Sequence, residues 1–114
     1  MSTHAQLGVK MPDNKIVGCY VHYDGGTMRP RIEDYLEKYS ATGLVVLISQ
    51  AQATGGIRSF HSPNDPTGYE YETEFLDDQE EYVIDGTNWQ EDHFGARYRY
   101  LIDYKTGEIK KRSN

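Results

Sequence analysis

A run of fourteen residues, 69–82, constrains the fold of this chain more than any other segment. Its first half, YEYETEF, alternates aromatic or hydroxyl side chains with glutamates. Because successive side chains of a strand point to opposite faces of the sheet, this period of two predicts a half-buried β-strand. One face would pack, while the other would carry a row of negative charge. Seven of the fourteen residues are acidic and none is basic: Glu70, Glu72, Glu74, Asp77, Asp78, Glu80 and Glu81. We refer to these seven residues as the acidic tract.

Charge is divided unevenly along the chain. Residues 70–93 contain ten acids and no base, whereas residues 94–114 contain six bases and two acids. Two interpretations stay open. The acidic strand pairs with the basic C-terminal strand, so that the charges partly cancel, or it forms an acidic surface that meets a basic partner. The formal net charge of −6 repels phosphate, which argues against direct nucleic-acid binding.

The length of 114 residues predicts a single domain, 1–114. Leu, Ile, Val and Phe together number only 22, and ten tyrosines supply additional apolar area. The single cysteine, Cys19, excludes an internal disulfide. No apolar run approaches the length of a membrane span, and the first residues lack the pattern of a signal peptide, so we expect a cytoplasmic protein.

Hydrophobic periodicity and turn residues predict a β-hairpin, two helices and a series of further strands. The first helix, residues 31–39, has apolar side chains at i, i+3, i+4 and i+7. For the second, residues 42–53, Thr42 provides an N-cap and Gly55 a C-terminal stop. The expected fold class is α+β, an antiparallel sheet with two helices packed on one face. The predicted strands cover residues 4–10, 16–23, 57–61, 69–75, 81–84, 95–104 and 109–112.

Residues suited to catalysis or metal binding do not converge in the sequence. His22 and Asp24 share one face of a predicted strand, but a typical zinc site needs at least three protein ligands. Cys19 has the opposite parity to His22, so this strand does not bring a nucleophile and its base together. We therefore expect no enzymatic activity, no metal and no cofactor.

Three arginines near the glycine pairs offer an alternative function. Arg29, Arg31 and Arg58 flank Gly25-Gly26 and Gly55-Gly56, and together with tyrosines they would hold a nucleotide by charge and stacking. The alternative is thus a small-molecule or nucleotide-binding protein.

Residues 18–25 (GCYVHYDG), with Asp13 and Asn14 upstream, resemble a motif of small uncharacterised bacteriophage accessory proteins. In those proteins a turn is followed by a strand ending in Tyr-Val-His-Tyr/Trp-Asp-Gly and then by helices. The resemblance implies an accessory protein that acts on host machinery in the host cytoplasm. With the acidic tract, it leads us to expect binding to a basic surface of a host protein, such as a nucleic-acid-handling or anti-phage defence protein. The sequence leaves open whether the protein forms a homodimer.

Overall fold

The computed structural model describes residues 3–23, 25–63, 73–76 and 96–113. This part of the chain contains six strands, a short 3-10 turn at Gly25–Thr27 and one α-helix. In chain order the elements are β1 (Ala5–Lys10), β2 (Ile16–Val21), α1 (Arg29–Thr54), β3 (Ile57–Ser59), β4 (Glu74–Phe75), β5 (Tyr98–Asp103) and β6 (Ile109–Ser113).

The six strands form one mixed sheet in the order β4-β3-β2-β1-β5-β6. The pairs β1–β2, β3–β4 and β5–β6 are antiparallel, whereas β1–β5 and β2–β3 are parallel. The expected antiparallel sheet is therefore wrong. The reason is the helix between β2 and β3, because a strand that returns through a helical crossover to a neighbouring position runs parallel to the first.

The expectation of two helices is also wrong, since α1 is one helix of 26 residues. Both predicted segments lie within it, and between them Ser40 has non-helical angles (φ 64°, ψ 177°) that kink the helix. Thr42 is not an N-cap, because it lies inside α1, whose N-cap position is Met28, and its hydroxyl lies 2.8 Å from the hydroxyl of Tyr104. The predicted stop is confirmed, since Gly55 ends α1 in the left-handed conformation. No helix in the described ranges has the length and apolar character that a membrane crossing requires.

The main core lies between α1 and one face of the sheet. The helix contributes Ile32, Leu44, Leu47, Ile48 and Ala51, and alternate residues of the strands oppose them. From the sheet come Ala5, Leu7, Val9, Cys19, Val21, Ile57, Tyr100 and Ile102. A smaller cluster on the opposite face contains buried Tyr20 and Leu76.

The segment that resembles the phage motif ends at a closely packed turn. Gly25 donates its N–H to the carbonyl of Thr3, with 2.8 Å between the heavy atoms. Its own carbonyl accepts a hydrogen bond from the buried hydroxyl of Tyr100. A Cβ at Gly25 would lie 2.8 Å from the Cβ of Ala5, so glycine is needed here for close approach.

Candidate functional site

Glu74 is the one residue of the acidic tract within the described part of the chain. It is exposed on β4, which is the first strand in the sheet order, and its neighbour Phe75 packs against the main core. Alternation at these two positions confirms that part of the predicted strand. The other six residues of the tract lie outside the described residues, as does the predicted strand at 81–84: Glu70, Glu72, Asp77, Asp78, Glu80 and Glu81.

The position of Glu74 is fixed from both sides. The hydroxyl of Thr73 accepts the N–H of His61 and donates to the carbonyl of the same residue, at 3.1 Å in each case. After the strand, Leu76 is buried and donates its N–H to the carbonyl of Gly56 at 2.9 Å. Glu74 therefore projects its carboxylate from an anchored strand.

The three arginines proposed as an alternative ligand site have different surroundings. Arg29 is exposed and forms an ion pair of 3.4 Å with Glu33 on the next turn of α1. Arg31 is only 2 % exposed and donates to the carbonyl of Phe60 at 2.9 Å, so it has a structural role. Arg58 is half-buried on β3. Of the three, only Arg58 contributes to the site described next.

Nucleophilic chemistry at Cys19 is disfavoured by its position. Its thiol lies in the main core against α1, and burial raises its pKa far above the ordinary value. The thiolate that would act as a nucleophile is therefore not populated near neutral pH. Asp24, the expected neighbour of His22, lies outside the described residues. Within the described ranges, no three or more side chains of His, Cys, Asp or Glu are grouped so that they could hold a metal ion.

A row of basic side chains crosses one end of the sheet. Ala5 is paired with Val21 on β2 and with Tyr98 on β5, so the preceding residues His4 and Arg97 align with each other and with His22. We call Arg58, His22, His4 and Arg97, in that order across β3, β2, β1 and β5, the basic row.

Backbone hydrogen bonds fix the alignment of the basic row. The N–H of Arg97 donates to the carbonyl of His4, and the N–H of His22 donates to the carbonyl of Ile57, both at 2.8 Å. The strand residues adjacent to the row face the main core. Since side chains alternate along a strand, the basic row lies on the face opposite α1.

The two histidine rings in the basic row are held in defined orientations. The rings stack with their centroids 4.7 Å apart. Nδ1 of His4 donates to the carbonyl of His22 at 2.7 Å, and the hydroxyl of Tyr20 lies 2.8 Å from Nδ1 of His22. Tyr23 contacts the edge of the His22 ring. With both Nδ1 atoms engaged, Nε2 is the ring atom of each histidine that has no hydrogen-bond partner among the described residues.

The positive groups of the basic row act electrostatically on one another. Partial burial, followed by the charges of His4 and Arg58, lowers the pKa of His22 below its ordinary value. Among the described residues, no carboxylate forms an ion pair with any member of the row. Within the described ranges, the fixed positive charges of the row are those of Arg58 and Arg97, at its two ends.

Sequence reasoning missed the basic row because its members are far apart in the chain. Part of the row could be predicted from the sequence, because pairing Lys10 with Ile16 across the turn of the predicted hairpin also places His4 opposite His22. Arg58 and Arg97 join through the two parallel pairings, which were not anticipated.

No family model, curated protein or solved structure matches this chain. Its function is therefore inferred from its own residues and their geometry.

Proposed function

We propose that this chain is a non-enzymatic accessory protein of the phage type, which acts in the host cytoplasm and binds a basic surface of a host protein through the acidic tract. The observation that carries the proposal is the exposed Glu74 on an anchored outer strand, within a sequence run of seven acids and no base. The phage assignment rests on the resemblance of residues 18–25 to the accessory-protein motif.

Electrostatics supports an acidic binding surface. Like charges that are crowded together repel one another and destabilise the compact state. Charge on an outer strand also prevents edge-to-edge aggregation, but only charges on that strand itself serve this purpose. Ten acids without a base in residues 70–93 far exceed it. A partner with a phosphate-binding surface, such as a nucleic-acid-handling or defence protein, has the complementary charge.

A pull-down with charge-matched variants tests the proposal. The triple variant Glu70→Gln/Glu72→Gln/Glu74→Gln removes three charges from the acidic tract. The control Glu33→Gln/Glu37→Gln/Glu108→Gln removes three charges from exposed positions elsewhere. In host lysate at low salt, we expect wild type and the control to retain the same partner and the tract variant to lose it.

Salt provides a second criterion in the same experiment. Because ions screen charge pairs at exposed surfaces, the partner should also elute as ionic strength rises. If wild type and the tract variant retain one partner equally, or if retention does not depend on salt, the acidic tract is not the binding surface.

A further inference from the structure

We propose that the basic row is a binding site for an elongated phosphate anion, such as the polyphosphate chain of a nucleotide. The site comprises Arg58, His22, His4 and Arg97, brought into register from four strands of the sheet. It lies on the face opposite α1 and is independent of the acidic tract, so it adds a second binding function.

The dimensions of the row fit an extended anion. Neighbouring strands of a sheet are about 4.8 Å apart, so three intervals place Arg58 and Arg97 about 14 Å from each other at the backbone. A single phosphate can contact only adjacent members, whereas a chain of phosphates can contact all four. The two guanidinium groups at the ends offer bidentate hydrogen bonds to phosphate oxygens. Between them, Nε2 of His22 and Nε2 of His4 complete the line.

The charge of the row explains why an anion would bind there. Like charges directly opposite on neighbouring strands destabilise a sheet. His4 and Arg58 lie beside His22 on the two neighbouring strands, and among the described residues Tyr20 and Tyr23 also contact its ring. Within the described residues no carboxylate offsets this cluster. A bound phosphate chain would place negative charge beside Arg58 and Arg97, and His22 would take up a proton as it binds.

An aromatic surface next to the row favours a nucleotide as the source of the phosphate chain. Tyr23 is 36 % exposed and follows His22 directly. Its ring is available to stack on a base while the phosphates extend along the row. A long nucleic acid fits less well, because it would run beyond four basic side chains on a protein whose net charge is −6.

Calorimetry on the purified full chain tests the site directly. The probes are sodium tripolyphosphate, ATP, adenosine and a twelve-nucleotide single-stranded DNA. We expect tripolyphosphate and ATP to bind and adenosine alone not to bind. Tighter binding of ATP than of tripolyphosphate would identify a nucleotide, and equal binding would identify the phosphate chain as the whole determinant. Affinity should rise as pH falls from 8 to 6, since protonation of His22 accompanies binding.

Charge-matched variants distinguish this site from general attraction. Arg58→Gln and Arg97→Gln should each weaken tripolyphosphate binding by about tenfold, because each removes a charge-assisted contact. Lys38→Gln removes the same charge from an exposed position on α1, on the other side of the sheet, and should leave the affinity unchanged. Arg97 is exposed, so its variant should fold even if the half-buried Arg58 proves sensitive.

Three results would overturn the site: no binding of either phosphate probe to folded protein at millimolar concentration, equal weakening by Lys38→Gln, or binding of the oligonucleotide alone. None of these measurements involves a host partner. Failure here would leave the acidic-tract proposal standing, and failure of the pull-down would leave the basic row standing.

Discussion

Gln6 is a polar residue in a buried position. It is fully buried in the middle of β1, and neither atom of its amide has a hydrogen-bond partner within the described part of the chain. An unsatisfied buried amide costs about 1–3 kcal/mol. Gln6→Met keeps the length of the side chain and removes the amide, so we expect the free energy of unfolding to rise by about 1 kcal/mol. Urea denaturation measures it. A loss of stability instead would show that the amide is satisfied in solution.

His22 makes the stability of the protein depend on pH. Its pKa in the folded state is lowered by partial burial and by the charges of His4 and Arg58, so the unfolded chain binds more protons in the range below the ordinary value of about 6.5. The stabilising contribution is complete above that value and is lost as pH falls through it towards the folded pKa. We expect Arg58→Gln to raise the pKa of His22 in an NMR titration and Lys38→Gln to leave it unchanged. Equal effects of the two substitutions would contradict the assigned cause.

Ser40 is the weak point of the one long helix. Its φ of 64° and ψ of 177° belong to a region that side chains other than glycine rarely occupy, at a cost of about 1–3 kcal/mol. Ser40→Gly should therefore stabilise the protein by about 1 kcal/mol. The control is Ser49→Gly at an exposed position within α1, which should destabilise by about 0.5 kcal/mol because serine is the better helix former there. Chemical denaturation of both variants gives the comparison. The same sign for both would mean that Ser40 is not strained.

Local sequence patterns predicted the individual secondary-structure elements better than they predicted how those elements are arranged. Strands near β1, β2, β3, β5 and β6 were predicted from alternation and turn residues, and the turn at Gly107 has the expected positive φ. Two helices were predicted where the structure has one. The prediction failed because nothing in the residues around Ser40 indicates how the chain passes between the two helical segments. Parallel pairing depends on contacts between distant segments, which short-range periodicity does not encode.

In the candidate sites, too, local features could be predicted from the sequence and long-range pairing could not. Alternation at Glu74 and Phe75 predicted which side chain is exposed and which packs. The basic row depends on β1, which pairs with β2 on one side and with the late strand β5 on the other. Its residues come from positions 4, 22, 58 and 97, so pairing partners had to be known before the row could be recognised.

Over the whole molecule, β1 joins the two ends of the chain into one sheet. Residues 5–9 are all buried, and the strand has partners on both edges. β6 is the last strand in the sheet order, and every residue after Ile109 in it is exposed. The N-terminal strand thus lies in the middle of the sheet, although it comes first in the sequence.

Native-state hydrogen exchange should show this difference between β1 and β6. Amides of β1 can exchange only when the sheet separates on both sides and the main core opens, so we expect their protection to match the free energy of global unfolding. Amides of residues 110–113 in β6 should exchange through local opening at much lower free energy, because that strand has one partner and little buried area. NMR at several low denaturant concentrations separates the two classes: exchange from β1 should respond steeply to denaturant and exchange from β6 weakly. If both strands showed the same protection and the same response, β6 would be part of the global unfolding unit and the N-terminal strand would not be the distinct centre of the sheet.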